Sequence, residues 1–227
     1  MLASVRQFVA GVRITISKEN YLKAIAEAES EGESVKAVTL ARWLRVSAPA
    51  VTMAIKRLRR DALIKVAREG QITLTPAGRD IANRLLNRHH LIERMLTEVF
   101  GLEWYKVHDE AEQLEHAVSA DFERKLVERL GEGGACPHGN TAELESPQKR
   151  RDRGLKTLEE AHPNERLSIA SVFERDRRLL EYFDREGIRP GACVEVLSVN
   201  GGVELRADGR SVRIERDAAA KVWVKLV

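Results

Sequence analysis

A chain of 227 residues, 43% of them hydrophobic, is long enough for two or three compact units with real cores, which excludes disorder throughout. Its charged residues, 32% of the total, nearly cancel to a net +3, so only local clustering can argue for a polyanionic partner. Two cysteines, Cys136 and Cys193, exclude a disulfide framework and fit a reducing compartment, read as the cytoplasm, and no apolar run of about 18 residues offers a membrane span.

Residues 1–16 are mildly apolar but broken by Arg6 and Arg13, and they read as a flexible N-terminal arm. Ser17 to Glu31 reads as a first helix, with Ser17 as N-cap and Tyr21, Leu22, Ile25 and Ala26 on its apolar side. Thr39 is expected to cap a short second helix carrying Leu40, Ala41 and Leu44. Ser47 caps a third that holds Pro49 in its first turn, where the missing N–H costs nothing. In this third helix Val51, Ile55 and Leu58 face inward, turning Ala50, Met53, Lys56, Arg57 and Arg60 toward solvent, as a recognition helix requires. Between Val38 and Arg68 eight basic residues stand against one acid, Asp61. Ile64–Val66 and Ile72–Leu74 alternate around Glu69-Gly70 as a hairpin, completing a winged helix-turn-helix.

Thr75-Pro76 opens a long helix through His89 and Glu93 to about Phe100, where Gly101 stops it. The next helix, from near Trp104, puts His108, Glu112, Glu115 and His116 on one stripe, at steps of four, three and one. Such a stripe would normally be Leu or Val; filled with imidazoles and carboxylates, it is costly to bury without an ion, and so reads as a metal-binding face. His89 and Glu93, at i, i+4 on the preceding helix, add a second pair. A solvated polar face is the bland alternative for any one of these residues, and the joint placement weighs against it. Ser119 caps another helix with Phe122, Leu126 and Leu130. From Gly131 to about Pro163 the chain reads as a long connection. Cys136-Pro137-His138 lies there and is read as loop rather than ligand, and His90 and His162 are left unassigned. After an amphipathic segment over Arg175 to Phe183, strands near Cys193–Val199, Val203–Arg206, Val212–Ile214 and Val222–Leu226, with Asn200-Gly-Gly and Asp208-Gly turns, fit a small SH3-type β-barrel.

The expected fold is thus mainly α with a small β domain. It comprises the arm 1–16, a winged helix-turn-helix over 17–82, a helical metal-binding and dimerisation domain over 83–150, and a linker with an SH3-like domain over 151–227. Enzyme templates fail. H-E-x-x-H is absent, Glu112 stands where an inverted H-x-x-E-H needs its first His, and Glu112 to His116 is i, i+4 where di-iron bundles use i, i+3. A non-enzymatic, metal-gated DNA-binding protein is therefore expected. The alternatives are a winged-helix regulator sensing a small molecule and a helical metalloenzyme.

The segment RHHLIERMLTEVFGLEWYKVHDEAEQLEHAVS, with VSAPAVTMAIKRLRRDALI, TLTPAGR and GACPHGN, resembles the family of the diphtheria toxin repressor and the manganese transport regulator over about Ser17 to Asn140. The C-terminal stretch resembles the SH3-like (FeoA-like) third domain of its longer members. The resemblance implies a cytoplasmic homodimer that binds palindromic double-stranded operators when loaded with metal and represses or tunes metal-homeostasis genes, with no membrane partner and no small organic substrate. By position it assigns Glu112, Glu115 and His116 to a primary metal site, with Asn20 on the first helix, and His89, Glu93 and His108 to an ancillary site. It places Ser47, Pro49, Ala50, Thr52, Met53, Arg57 and Arg60 at the DNA, with Arg68 in the wing. A carboxylate at Glu112, where iron-responsive members carry Cys, points to Mn(II) first, Fe(II) second, and other divalent transition metals in vitro. Lys23 stands where the manganese branch has a Glu and as a cation cannot coordinate. Two sites with a carboxylate in place of Cys are expected rather than a binuclear cluster. Glu19 is a substitute ligand whose register points elsewhere, and Glu174 and Asp176 are candidates from the third domain.

Overall fold

The computed structural model describes residues 8–9, 12–141 and 143–227. Most of the expected arm lies outside the described residues; within it, β1 (Phe8–Val9) and β2 (Val12–Arg13) pair antiparallel.

Helix α1 (Ile16–Ser30) starts two residues earlier than its sequence signal: Thr15, not Ser17, has the extended backbone of an N-cap and accepts from Lys18 N. Helix α2 (Ala37–Leu44) is likewise capped earlier. Thr39 sits three residues inside, where its hydroxyl accepts from the Lys36 backbone N–H and satisfies one donor at the helix start. Ser47 caps α3 (Ala48–Arg60) as expected, accepting from Ala50 N. Strands β3 (Ile64–Val66) and β4 (Ile72–Leu74) pair with Ile64 opposite Leu74 and turn at Gly70, whose φ of +78° favours a residue without Cβ. These elements close over Leu22, Ile25, Leu40, Val51, Leu58 and Ile72, all essentially buried, and each such side chain stabilises by about 1.5–3 kcal/mol on leaving water.

Helix α4 (Pro76–Arg94) runs out of this core into a second one and ends in a π-helical turn, Met95–Val99. The second core, Ile92, Leu96, Val107, Ala111 and Leu126, joins α4 to α5 (Val107–Leu114) and α6 (Ala120–Leu130). After α7 (Pro147–Asp152) come β5 (Lys156–Thr157), β6 (Arg166–Val172), α8 (Arg177–Arg185), β7 (Cys193–Ser198), β8 (Val203–Ala207), β9 (Arg210–Ile214), α9 (Arg216–Ala219) and β10 (Val222–Leu226). The strands form one antiparallel sheet, ordered β5-β10-β6-β7-β8-β9, curled by irregularities at Trp223/Val224 and Val196/Ser198 around an apolar core. This is the SH3-like unit. Trp104, from the segment before α5, inserts into that core and donates through Nε1 to Asp184, fixing the third unit against the helical one. Among the described residues no helix is long and apolar enough to cross a membrane.

Candidate functional site

Helix α4 presents His89 and Glu93 one turn apart, α5 brings His108 opposite, and β6 ends just before Glu174; all four are buried. His89 Nε2 lies 3.0 Å from both Glu93 Oε1 and His108 Nδ1, and His108 Nδ1 lies 3.2 Å from Glu93 Oε1 and 3.9 Å from Glu174 Oε1. One ligand atom from each of these four residues falls within 4.8 Å of all the others, and the same holds for the overlapping group His90, Glu93, Cys136 and Glu174. The groups share Glu93 and Glu174, so they line one cavity.

The loop after α6 completes this cavity. His138 donates from Nε2 to Trp104 O at 2.8 Å, which leaves Nδ1 facing Glu93 at 3.4 Å and Glu174 at 3.5 Å. Cys136 Sγ is 3.4 Å from Glu174 Oε2, an oxygen that also accepts from Asn140 Nδ2 at 2.6 Å. Meanwhile both ring nitrogens of His90 and Oε2 of Glu93 are buried without a hydrogen-bond partner among the described residues. Such orphans are what a cation with several ligands would satisfy. The donor set of carboxylates, imidazoles and one thiol suits a divalent transition metal, and so the cavity fits one.

Burial disfavours charge here, yet the ion pairs win. Desolvation acts to raise Glu93, but the His138 and His89 charges hold it well below the carboxylate range; Glu174 is held down likewise, against burial and the Glu93 charge, by the imidazoles of His138 and His90, whose nitrogens lie 3.5 and 3.8 Å from its oxygens. Burial lowers His108, but bonding to Glu112 and Glu93 outweighs it and pushes it up to about 9; His138 is pushed up to about 10, chiefly by the Glu93 charge. Burial and the two carboxylates keep the Cys136 thiol protonated.

The expected stripe is not one site: α5 ends at Leu114, so Glu115 caps it and His116 lies in the turn beyond. His116 Nε2 lies 2.6 Å from Asn20 Oδ1 on α1 and its Nδ1 3.2 Å from Glu19 Oε2, so Glu19 faces His116 against the expectation from its register. Glu115 Oε2 is 2.7 Å from both Lys23 Nζ and His89 Nδ1, and as the one anionic acceptor of the three it takes both protons. Desolvation would lower buried Lys23, but Glu27, Glu115 and Glu112 together raise it, so it remains an ammonium. Glu112 turns away from Glu115 and His116; its Oε1 is 3.2 Å from Arg175 Nη1 and 3.6 Å from His108 Nε2, on the exposed side. Asn20, Glu115 and His116 therefore converge without Glu112, and with Lys23 among them this group does not fit an ion as it stands. Asp176 is no ligand here: it caps α8, accepting from Arg178 N and Leu179 N.

On the opposite side of the first unit, α3 exposes Pro49, Ala50, Thr52, Met53, Lys56, Arg57 and Arg60, with Met53 49% exposed, and Arg68 stands exposed at the wing. Ser47 caps the helix and is exposed at its start, where backbone N–H groups favour a phosphate. Thr52 donates its proton to Ala48 O at 3.0 Å, so in this rotamer it offers DNA an acceptor rather than a donor.

Three family models cover this architecture in order: "Iron dependent repressor, N-terminal DNA binding domain" over residues 13–71, "Iron dependent repressor, metal binding and dimerisation domain" over 75–143, and "FeoA domain" over 156–226. The diphtheria toxin repressor of Corynebacterium efficiens is 32% identical over 218 residues, 92% of this chain and 95% of that one. The chain belongs to the diphtheria toxin repressor family of metal-dependent repressors. The iron-dependent repressor IdeR of Mycobacterium tuberculosis is 39% identical over 122 residues, 54% of this chain and 53% of that one. Among solved structures, a manganese-dependent transcriptional repressor in complex with manganese superposes with a TM-score of 0.82 at 29% identity, covering 92% of this chain and all of that one (100%).

Within this family frame, sequence reasoning passed over Cys136, His138 and His90, which the fold delivers to the cavity, and it left Glu174 without a register. Cys136-Pro137-His138 was the available signal, but a lone pair in a Gly-rich loop has no partners until β6 is in place. The protonation pattern fixes a pH response. Imidazoles raised from 6.5 to about 9 and about 10 stabilise the metal-free fold fully below 6.5, and that contribution is lost as pH rises through 9 to 10. Ligation needs those imidazoles neutral, so metal uptake should strengthen from pH 6 to 9 with release of protons. Mn(II) titrations in buffers of different ionisation enthalpy check this, and an affinity flat across that range would contradict it.

Proposed function

We propose that this repressor is a homodimer that binds palindromic operators of metal-homeostasis genes, with Mn(II) as its activating ion and Fe(II) as the competing one. The observation that carries the reading is the buried convergence of His89, Glu93, His108, His138, Cys136 and Glu174 from α4, α5, the loop after α6 and the end of β6. A bound ion would supply the positive charge that lets these groups from separate elements share one cavity. The residues do the rest. His89 and Glu93 lie on the same helix, α4, that packs its first turns against α1 of the DNA-binding unit, so the order of the cavity bears on how that unit is held. The two carboxylates, Glu93 and Glu174, favour Mn(II); the imidazoles and Cys136 are the groups that would admit Fe(II). No catalytic role is assigned.

Arg57 and Arg60 are the proposed phosphate anchors, Ser47 and Pro49 begin the contact surface, Ala50 and Met53 offer apolar contact to thymine methyls, and Arg68 enters the minor groove. Operator gel shifts with and without Mn(II) test the whole; equal binding in both conditions would defeat it. Arg57→Ala should weaken binding to all sequences alike and reduce the slope of log K against log salt by about 1. A sequence-selective loss instead would make Arg57 a base-reading residue.

A further inference from the structure

Around the junction of α1 and α5, three carboxylates meet two cations that belong to the chain itself. Lys23 Nζ, buried on α1, is 2.7 Å from Glu115 Oε2 and 4.0 Å from Glu27 Oε1. Arg175, arriving from the third unit, places Nη1 2.6 Å from Glu27 Oε2 and 3.2 Å from Glu112 Oε1, with its guanidinium 5.1 Å above the Trp43 ring. Glu27, Glu112 and Glu115 thus face the same double positive charge that one divalent ion would bring, but delivered by covalent tethers. Glu115 is engaged within the chain: Oε2 lies 2.7 Å from both Lys23 Nζ and His89 Nδ1, and Oε1 3.5 Å from His116 Nε2. Held at Nδ1 in this way, the His89 ring points Nε2 at Glu93 and His108, each 3.0 Å away, so Glu115 orients a ligand of the inner cavity instead of holding an ion itself. A divalent ion placed on Glu115 would sit within contact distance of an ammonium, and like charges at that range repel strongly at any protein dielectric.

We propose that Lys23, with Arg175 beside it, is a built-in cation that takes the place of a second metal ion, so that each protomer carries ions only in the inner cavity and keeps α1 docked on α5 without metal. This rests on the inner cavity being the metal centre, as proposed above. What metal changes is then the inner cavity alone, while the contact between the DNA-binding helices and α5 is permanent.

The test is elemental analysis of full-length protein loaded with Mn(II) and dialysed, for the wild type, Lys23→Glu, Glu93→Gln and the double variant, with hydrogen exchange along α1 measured for the wild type and Lys23→Gln. The Lys23→Glu chain should gain one Mn(II) per protomer over wild type, and should keep that gained ion when Glu93→Gln is added. Protection of α1 should be the same with and without Mn(II) in the wild type and should become Mn(II)-dependent in Lys23→Gln. Unchanged Mn(II) content in Lys23→Glu, or wild-type α1 protection that appears only with Mn(II), overturns the proposal. If Glu93→Gln alone leaves the Mn(II) content untouched, the inner-cavity reading fails instead, and the gain in Lys23→Glu still judges the lysine. Should Lys23→Glu not fold, the exchange pattern of Lys23→Gln decides.

Discussion

Glu93→Gln should cost the protein at least a hundredfold in Mn(II) affinity, about 2.8 kcal/mol at 1.4 kcal/mol per tenfold. Both overlapping donor groups contain Glu93, so no rearrangement within the cavity replaces it. The amide keeps the shape and one acceptor but removes the charge that faces His89, His108 and His138. Stability should respond differently at different pH. Breaking a fixed buried ion pair costs about 3–5 kcal/mol, but an imidazole can shed its proton, so near pH 8 the loss should be smaller than that. Below pH 6.5, where these imidazoles are charged in the unfolded chain as well, the variant must hold charged histidines without their carboxylate, and the full cost should appear. Chemical unfolding of metal-free wild type and variant at pH 5.5 and pH 8 measures the difference. A deficit that grows with rising pH would contradict the assigned charge pattern.

Gly139→Ala should damage both the fold and the metal cavity. Gly139 has a φ of +83°, and a Cβ there would lie 2.1 Å from Ala170 O and 2.8 Å from the Ser171 Cα, both backbone atoms of β6. Neither can move without disturbing the ladder that β6 makes with β10 and β7. The loop must lift instead, breaking the bond from Val172 N to His138 O and carrying Cys136 and His138 away from Glu93 and Glu174. The strained backbone alone is worth about 1–3 kcal/mol, and the overlap adds to it. We expect a matching fall in unfolding free energy together with weakened Mn(II) binding, whereas Gly70→Ala in the wing, with nothing within 4 Å of its added Cβ, should leave Mn(II) binding unchanged. Equal Mn(II) affinity in Gly139→Ala and wild type would show that the loop is not part of the cavity.

The helices were legible because their signals are local. Ser47, Thr75 and Ser119 each cap the helix they were expected to cap, and Val51 and Leu58 line the core as their spacing requires. Where two capping residues compete within a few positions, local reading chose the wrong one: Thr15 displaced Ser17, and Lys36 took the N-cap place, its backbone N–H donating to the Thr39 hydroxyl. Strand β6 was missed although Leu167, Ile169 and Val172 are buried along it, because it follows a charged, Pro-containing stretch that reads as linker. Missing it also hid Glu174, whose place in the cavity follows from where that strand ends.

The sequence by itself determined the helical order, the exposed basic face of α3 and the pairing of His89 with Glu93, since each depends on residues within a turn or two of one another. Only the tertiary structure decided that the α5 stripe divides, with His108 turned inward, Glu112 drawn to Arg175 and Glu115 held by Lys23. The partners that pull those side chains apart come from α1 and from the third unit, 92 residues away from Glu115 in the case of Lys23. Helical periodicity places a side chain on a face, but which charge it meets there is set by elements distant in the chain, and at buried positions that charge outweighs the stripe.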